Sequence, residues 1–287
     1  MSTLRFDPSG PVPPAPASRD GRDFLSVVVP ARNEGPGLPR LVDEIVGALR
    51  PLRRGRSGSG VPRLRGFEIL VVDDGSTDAT AAILEDLAAT VAELRPLILA
   101  RNVGQSAATA AGFHAAGGDW VATLDADLQN DPADLAALWE ALPGHDAVLG
   151  WRARRADTWS RRAISRAANA VRNAILGQSI RDTGCSMRIF RREQALRMPA
   201  FHGVHRFYGP LLIREGCRVL QVPVNHRPRA HGRSHYNFRN RSLRVVVDLL
   251  GVAWLMRRPL RYEVMGRPGR IGRAGAFVAA ESMSEGG

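Results

Sequence analysis

The stretch FEILVVDDGSTDATAAILEDL, residues 67–87, contains the change from strand to helix that decides the fold. Its first part, residues 67–74, is an apolar run that closes on two aspartates, which is typical of a buried strand. Gly75 follows, and Ser76 or Thr77 is a suitable N-cap for a helix near 78–94. A strand that turns directly into a helix is the repeating unit of α/β proteins.

The same alternation extends along the first half of the chain. The other predicted strands lie at 24–30, 95–100, 119–126 and 146–151, and the other helices at 38–50, 105–116 and 132–142. Such alternation predicts a mostly parallel, doubly wound sheet, which binds ligands at the carboxyl ends of its strands. Asp73, Asp74, Asp125 and Asp127 all fall at such ends.

The pattern changes after residue 151. An Arg-rich amphipathic helix is predicted at 158–176, a basic, His-rich stretch at 199–241 and a half-apolar helix at 242–256. The expected organisation is a disordered Pro-rich tail at 1–22, an α/β domain at 23–238, a basic amphipathic helix at 239–262 and a flexible tail at 263–287.

The charge of the chain is divided unevenly. All 40 basic residues are arginine, and residues 1–150 carry a net charge of −7 whereas residues 151–287 carry +19. The acidic half suits a cation and the basic half suits phosphate or an anionic membrane, although a solvated basic surface would give the same composition. A nucleic-acid-binding protein is a further alternative, but acidic pairs at strand ends would repel a phosphate backbone.

Cysteine content and apolar runs bear on the compartment. Two cysteines make no disulfide framework, and the Pro-rich N-terminus lacks the apolar segment of a signal peptide. The longest apolar run near the C-terminus, residues 249–256, is far shorter than the roughly 20 residues of a membrane-spanning helix. We therefore expect a cytoplasmic protein that does not cross a bilayer by itself.

Three carboxylates lie in the motif DADLQNDP, residues 125–132, after a predicted strand. Asp131 precedes a proline and suits the start of a helix, where it offsets the helix dipole. Asp125 and Asp127 are not needed for that role. Mg²⁺ and Mn²⁺ prefer oxygen ligands, so these two carboxylates and the amide oxygen of Gln129 form a candidate metal site.

Four ordered motifs carry a family resemblance: VVVPARNE (27–34), VVDDGSTDAT (71–80), RNVGQSAAT (101–109) and DADLQNDP (125–132). Together they resemble the inverting glycosyltransferases of family 2, whose GT-A fold is a doubly wound sheet with a Rossmann-like nucleotide-binding half. Over about residues 24–261 the chain looks most like the polyprenyl-phosphate branch, the relatives of dolichol-phosphate mannosyltransferase.

The resemblance implies a nucleotide-sugar donor of the GDP-mannose or UDP-hexose type. The implied donor contacts are Pro30, Arg32, Glu34, Asp73, Asp74, Gly104, Asp125 and Ala126. The resemblance also implies that Asp125, Asp127 and Gln129 hold Mg²⁺ or Mn²⁺ on the donor diphosphate. Asp127 is then a catalytic residue, because the metal assists departure of the leaving group.

On the acceptor side, the resemblance implies a polyprenyl-phosphate lipid. Residues that match phosphate contacts, or a loop that closes over the site, are Arg152, Arg161, Ser165, Arg229, Ser234 and Tyr236, with Arg161 counted as catalytic. His235 departs from the family, where a lysine is usual. Asp182 is a further catalytic candidate, either as a base on an acceptor hydroxyl or as a positioning group, since an ionised phosphate needs little help from a base.

The helix near 242–256 combines an apolar stripe, which includes Trp254, with arginines at both ends. This pattern favours either a helix at an anionic membrane interface or an ordinary core helix. The predicted function is transfer of a sugar to polyprenyl phosphate, with inversion, at the cytoplasmic face of a membrane. The anchor is this helix or a partner membrane protein. The alternative is a family 2 enzyme that uses a sugar hydroxyl in cell-envelope polysaccharide or glycolipid synthesis.

Overall fold

The computed structural model describes residues 23–54, 64–153, 169–228 and 238–258. Within these ranges the sheet has seven strands, β1 (Asp23–Ala31), β2 (Leu64–Asp73), β3 (Leu94–Ile98), β4 (Trp120–Thr123), β5 (Ala147–Arg152), β6 (Arg188–Arg191) and β7 (Val219–Val224). The helices of the same ranges are α1 (Leu38–Leu49), α2 (Thr80–Thr90), α3 (Gln105–Ala115), α4 (Asp134–Glu140), α5 (169–176), α6 (Arg192–Arg197), α7 (Tyr208–Arg214) and α8 (Phe238–Met256). Short 3-10 helices lie at Gly35–Gly37, Arg50–Arg54 and Val204–Arg206.

The strand order across the sheet is β3-β2-β1-β4-β6-β5-β7. The first four of these strands run parallel, as do β5 and β7, whereas β6 is antiparallel to both of its neighbours. The prediction of a mostly parallel α/β sheet is confirmed. Because Pro30 pairs with Val72 and Val28 pairs with Thr123, the carboxyl ends of β1, β2 and β4 reach the same edge of the sheet.

Both faces of the sheet are covered, which explains why its central strands read as continuous apolar runs. In β2, Ile69 belongs to a core cluster shared with α1 and α4, whereas Leu70 belongs to a second cluster shared with α3, α7 and α8. α3 lies so close to the sheet that a Cβ atom at Gly112 would collide with Val28. The packing of α3 matters because its N-terminus borders the edge where the strands end.

Some predicted boundaries were wrong. β2 begins at Leu64 rather than at residue 67, and β4 ends at Thr123 although the strand was expected to reach residue 126. The group that accepts a hydrogen bond from the first turn of α2 is the Asp78 carboxylate, at 3.0 Å, rather than either hydroxyl residue expected.

The second half of the chain holds more regular structure than the sequence indicated, namely α6, α7 and β7. The helix predicted at 158–176 is described from residue 169 onward as α5, and the helix predicted at 242–256 lies within α8. The expected tails at 1–22 and 263–287 lie outside the described residues. None of the helices described here is both long and apolar enough to cross a membrane.

Candidate active site

The acidic loop after β4 lies at the ligand-binding edge of the sheet. Asp125, Asp127 and Gln129 are each partly exposed, while the residues between them, Ala126 and Leu128, are buried with 4% exposure each. Leu128 has a φ of 60°, in the left-handed region that a leucine rarely adopts, so the loop is held in a specific shape. Ala126 and Leu128 therefore anchor the loop in the core, and the polar residues Asp125, Asp127 and Gln129 stay partly exposed at the edge of the sheet. The predicted donor contact of Ala126 stays a prediction.

Asp125 lines a cavity of about 190 Å³ at this edge. Gln105, at the start of α3, donates a hydrogen bond from its side-chain amide to the Asp125 carboxylate at 2.8 Å. Burial raises the pKa of Asp125, and the negative charge of Asp127 raises it further; the positive charges of Arg188 and Arg152 oppose this only in part. Two carboxylates that repel one another in a confined space form a site that a cation would stabilise.

The residues of this loop fit the predicted divalent metal. Among the described residues there is no cluster of three histidine, cysteine, aspartate or glutamate side chains that could hold a metal alone. Asp125, Asp127 and Gln129 offer two carboxylates and an amide oxygen, which suits an ion such as Mg²⁺ that keeps waters and ligand phosphates in its shell. The oxygen donors are thus those that an ion bridging protein and diphosphate would need.

The two aspartates at the end of β2 hold neighbouring loops in place at this edge. Asp73 and Asp74 are buried, with 1% and 4% exposure. The Asp73 carboxylate accepts a hydrogen bond from the Ser76 N–H at 3.0 Å, and the Asp74 carboxylate accepts from the N–H groups of Val103 and Gly104 at 2.7 and 2.9 Å. Asp74 therefore ties the loop before α3 to β2. The nucleotide contacts implied for Asp73, Asp74 and Gly104 stay predictions.

The loop after β1 is joined to the loop after β2. Asn33, with a left-handed φ of 54°, donates its N–H to the Ser76 hydroxyl at 2.9 Å, and its side-chain oxygen accepts from the Thr77 N–H at 2.8 Å. Of the predicted donor contacts on this loop, Pro30 lines the cavity. Arg32 is exposed and Glu34 is half-buried, and their contacts to a nucleotide stay predictions.

Asp182 forms an ion pair with Arg152 at the end of β5. The Arg152 guanidinium donates to both carboxylate oxygens, at 2.8 and 3.1 Å, and the Gly184 N–H donates at 3.1 Å. The side chains are only 5% and 20% exposed. Burial alone would lower the pKa of Arg152, but the hydrogen bonds and the charge of Asp182 outweigh it and raise the pKa. With both oxygens engaged, Asp182 has the geometry of a positioning group rather than of a free base.

Cys185, beside this pair, is a core residue. It is 1% exposed, and burial raises the pKa of its thiol to about 11. Because the thiol stays protonated at neutral pH, Cys185 is not a nucleophile.

Sequence reasoning missed several side chains that line the cavity, notably Arg188, His205 and Tyr208. Arg188 is 6% exposed, and its guanidinium lies 5.5 Å from the centre of the Tyr208 ring. His205 contacts the Ser106 hydroxyl at 2.7 Å through its Nδ1. Arg188 begins the short strand β6, whose sequence RIFR has an arginine at each end, so the burial of Arg188 has no local signal in the sequence.

The remaining predicted acceptor residues lie outside the described residues: Arg161, Ser165, Arg229, Ser234 and Tyr236, together with His235. The structure does describe Arg227, just before the second group. Its N–H donates to the Gln129 carbonyl oxygen at 2.8 Å, and its guanidinium bonds Glu44 at 2.6 Å and Asp131 at 2.8 Å. Arg227 therefore ties the segment that follows β7 to the acidic loop.

Comparisons with known proteins identify the family. Residues 26–196 match the family model described as "Glycosyl transferase family 2". The chain is 35% identical, over 240 residues, to undecaprenyl-phosphate 4-deoxy-4-formamido-L-arabinose transferase of Edwardsiella ictaluri, covering 83% of this chain and 70% of that protein. It is also 35% identical, over 271 residues, to dodecaprenyl-phosphate galacturonate synthase of Rhizobium johnstonii, covering 90% and 73%.

A solved structure shows the same fold. Glucosyl-3-phosphoglycerate synthase from Mycobacterium tuberculosis, in complex with Mn²⁺, uridine diphosphate and glucosyl-3-phosphoglycerate, has a TM-score of 0.57 at 20% identity, covering 80% of each chain. The described sheet and the matched family agree with the GT-A fold expected from the four motifs. The chain belongs to glycosyltransferase family 2 and is a glycosyltransferase.

Proposed function

We propose that this glycosyltransferase moves a sugar from a nucleoside-diphosphate sugar to the phosphate of a polyprenyl lipid. The observation that carries the proposal is the composition of the cavity at the sheet edge. Asp125, which suits a divalent cation, and the buried Arg188, which suits an anion, line the same cavity. One space therefore offers a place for a metal-bound donor and a place for a negatively charged acceptor.

The donor side of the proposal rests on the acidic loop. Asp125, Asp127 and Gln129 would hold Mg²⁺ or Mn²⁺ against the diphosphate of a GDP-mannose or UDP-hexose type donor. When bound, the metal neutralises charge that develops on the departing nucleoside diphosphate. The fold relative solved with Mn²⁺ and uridine diphosphate supports this role.

The acceptor side rests on the relatives and on Asp182. Both relatives carry a polyprenyl phosphate in their names, undecaprenyl in one and dodecaprenyl in the other. A phosphate is already ionised at neutral pH, so its oxygen attacks the anomeric carbon without a base, and attack opposite the leaving group inverts the configuration. The ion pair of Asp182 with Arg152 agrees with a reaction that depends on positioning and charge rather than on proton removal.

The helix α8 supports a membrane-bound acceptor. Val252 and Ala253 are 2% and 7% exposed and pack on the second core cluster, whereas Val247, Leu250 and Trp254 are 61%, 58% and 60% exposed. Arg258 contacts the Trp254 ring at 5.1 Å. One side of the helix thus belongs to the core, and the other offers an apolar stripe with a basic end. We propose that this stripe lies on an anionic membrane surface at the cytoplasmic face, alone or with a partner membrane protein.

The test is a transfer assay with separated acceptors. Purified protein would be given Mn²⁺, radiolabelled UDP- or GDP-sugars, and vesicles that contain undecaprenyl phosphate. Label should move into the organic-extractable lipid, and a chelator should stop the transfer. Vesicles with undecaprenol, which has the same chain but no phosphate, should receive no label. The proposed acceptor would be contradicted if the enzyme transferred sugar to a sugar hydroxyl and transferred none to the lipid phosphate with any of the UDP- or GDP-sugars.

A further inference from the structure

The positive charge of the buried Arg188 is not paired with a bonded carboxylate among the described residues. Its guanidinium donates to the carbonyl oxygens of His205 at 2.8 Å and Thr183 at 3.2 Å, and it stacks near Tyr208. In the part of the chain that the structure describes, no carboxylate bonds to it directly. The nearby Arg152, by contrast, has the carboxylate of Asp182. Arg188 is therefore held in place by neutral groups.

A buried cation that is held only by neutral groups favours an anionic ligand. Removing a charge from water is unfavourable unless an opposite charge compensates it, and burial accordingly lowers the pKa of Arg188. Asp125 is near enough for its charge to be felt, but it does not bond to Arg188. If a divalent cation occupies the acidic loop, the negative charge of Asp125 would be shared between that cation and Arg188. An anion in the cavity would then restore the balance.

The guanidinium has the capacity to bind such an anion. Arginine carries five N–H donors in a planar fork that matches the oxygens of a phosphate. The two carbonyl oxygens use one N–H of each terminal nitrogen, which leaves further donors on a group that lines the cavity. Because those carbonyls fix the guanidinium in advance, little conformational entropy is lost when a phosphate binds.

The position of Arg188 in the fold favours the phosphate of the acceptor over that of the donor. The Arg188 guanidinium bonds the backbone of the 3-10 helix Val204–Arg206, and Arg206 of that helix pairs with Asp248 of α8 at 3.0 Å. This end of the cavity is thus joined directly to the helix whose apolar stripe faces outward. The diphosphate of the donor, by contrast, is assigned to the acidic loop after β4.

We propose that Arg188 forms a phosphate subsite that binds the phosphate group of the lipid acceptor. The inference rests on the proposed function, because that function supplies a phosphate acceptor. Arg188 holds the phosphate while its free oxygen approaches the sugar, and it compensates the negative charge within the protein.

The test uses two substitutions and a matched control. Arg188→Lys keeps the charge without the fork, and Arg188→Gln removes the charge. Arg192→Gln is the control, since Arg192 is 5% exposed and does not line the cavity. Loss of a charge-assisted hydrogen bond predicts a rise in KM for undecaprenyl phosphate of roughly 10- to 100-fold for Arg188→Gln, with partial recovery in Arg188→Lys. Binding of UDP with Mn²⁺ to Arg188→Lys should stay within about twofold of the unaltered enzyme, because that variant keeps the positive charge near Asp125 and the donor diphosphate is assigned to the acidic loop.

Two outcomes would overturn the inference while the proposed function stands. In the first, the unaltered enzyme labels lipid phosphate, and both Arg188 variants are folded but keep its KM for the acceptor. In the second, the variants lose affinity for UDP with Mn²⁺ and keep that for the acceptor, which would place the donor diphosphate at Arg188. Absence of any transfer to lipid phosphate by the unaltered enzyme would instead contradict the proposed function itself.

A measurement on the unaltered enzyme covers the case in which the Arg188 variants do not fold. A crystal structure with Mn²⁺, UDP and farnesyl phosphate should place an oxygen of the farnesyl phosphate within about 3 Å of an Arg188 nitrogen. A farnesyl phosphate bound in the site with its phosphate away from Arg188 would overturn the inference.

Discussion

Replacing Asp182 by asparagine separates a structural role of this residue from a catalytic one. The substitution keeps the shape of the side chain and removes the charge that faces Arg152. It leaves a guanidinium whose side chain is only 20% exposed without its carboxylate partner. The negative charge of Asp125 also acts on Arg152 and raises its pKa. Part of the positive charge of Arg152 therefore stays compensated in the Asp182→Asn variant.

The expected loss of stability follows from this burial. Removing one partner of a fully buried ion pair costs about 3–5 kcal/mol, and the partial exposure of Arg152 reduces that value. We therefore expect the free energy of unfolding to fall by about 2–3 kcal/mol, which corresponds to roughly 4–12 °C in Tm for a chain of this size. Urea unfolding of the unaltered protein, Asp182→Asn, Arg152→Gln and the double variant would isolate the coupling between the two side chains.

Asp182→Asn should have only a modest effect on the rate of sugar transfer, although it lowers stability. If the nucleophile is an ionised phosphate, Asp182→Asn should slow single-turnover transfer by less than about tenfold at a temperature where the variant is folded. Arg161→Ala and Arg229→Ala should slow it more, and lysine at either position should restore only part of the rate because the fork is lost. A fully stable Asp182→Asn with almost no transfer, beside an active Arg229→Ala, would refute this reasoning and indicate a base acting on a hydroxyl acceptor.

Three further predictions test other parts of the account. Asp127→Ala should lower transfer by roughly 100-fold or more with little change in Tm, because the donor diphosphate loses its bridging cation; full activity in a metal-buffered assay would contradict the metal site. Trp254→Ser should weaken sedimentation with anionic vesicles in a salt-sensitive manner, whereas Ile98→Ser, which changes a residue that is 47% exposed elsewhere, should not; equal binding of both variants would make α8 a core element only. Cys185 should resist iodoacetamide at pH 8 in the folded protein, since the pKa of its thiol is raised to about 11 and the thiolate is scarce below that pH; rapid labelling without unfolding would show that the thiol is accessible.

The first half of the fold was predictable because its strands are buried on both faces. In the central parts of β1 and β2, consecutive side chains such as Val27–Val29 and Ile69–Val72 belong to the two core clusters, so the strands appear as apolar runs that stop where the sheet stops. The end of β4 was harder to predict. Ala126 and Leu128 continue to be buried beyond the strand, so burial does not mark where β4 ends, although the left-handed φ of Leu128 shows that the chain has turned.

The missed parts of the site depend on contacts between distant residues. Arg188 is buried because carbonyl oxygens from positions 183 and 205 accept its hydrogen bonds, and no local pattern around residue 188 indicates this. Asp74 was predicted to contact a nucleotide from its place at a strand end, yet its first observed partners are N–H groups about 30 residues further along the chain. The sequence therefore predicted which polar residues lie at the edge of the sheet, but not which of them are held by hydrogen bonds within the protein.

The central claim is that a lipid phosphate is the acceptor. The most direct measurement is single-turnover transfer of a radiolabelled sugar from its nucleoside diphosphate, with Mn²⁺, to vesicles containing either undecaprenyl phosphate or undecaprenol. We expect a labelled lipid only with the phosphate, formed with inverted anomeric configuration as judged by NMR of the product. Label on undecaprenol, or on a sugar hydroxyl acceptor in place of the lipid phosphate, would contradict it.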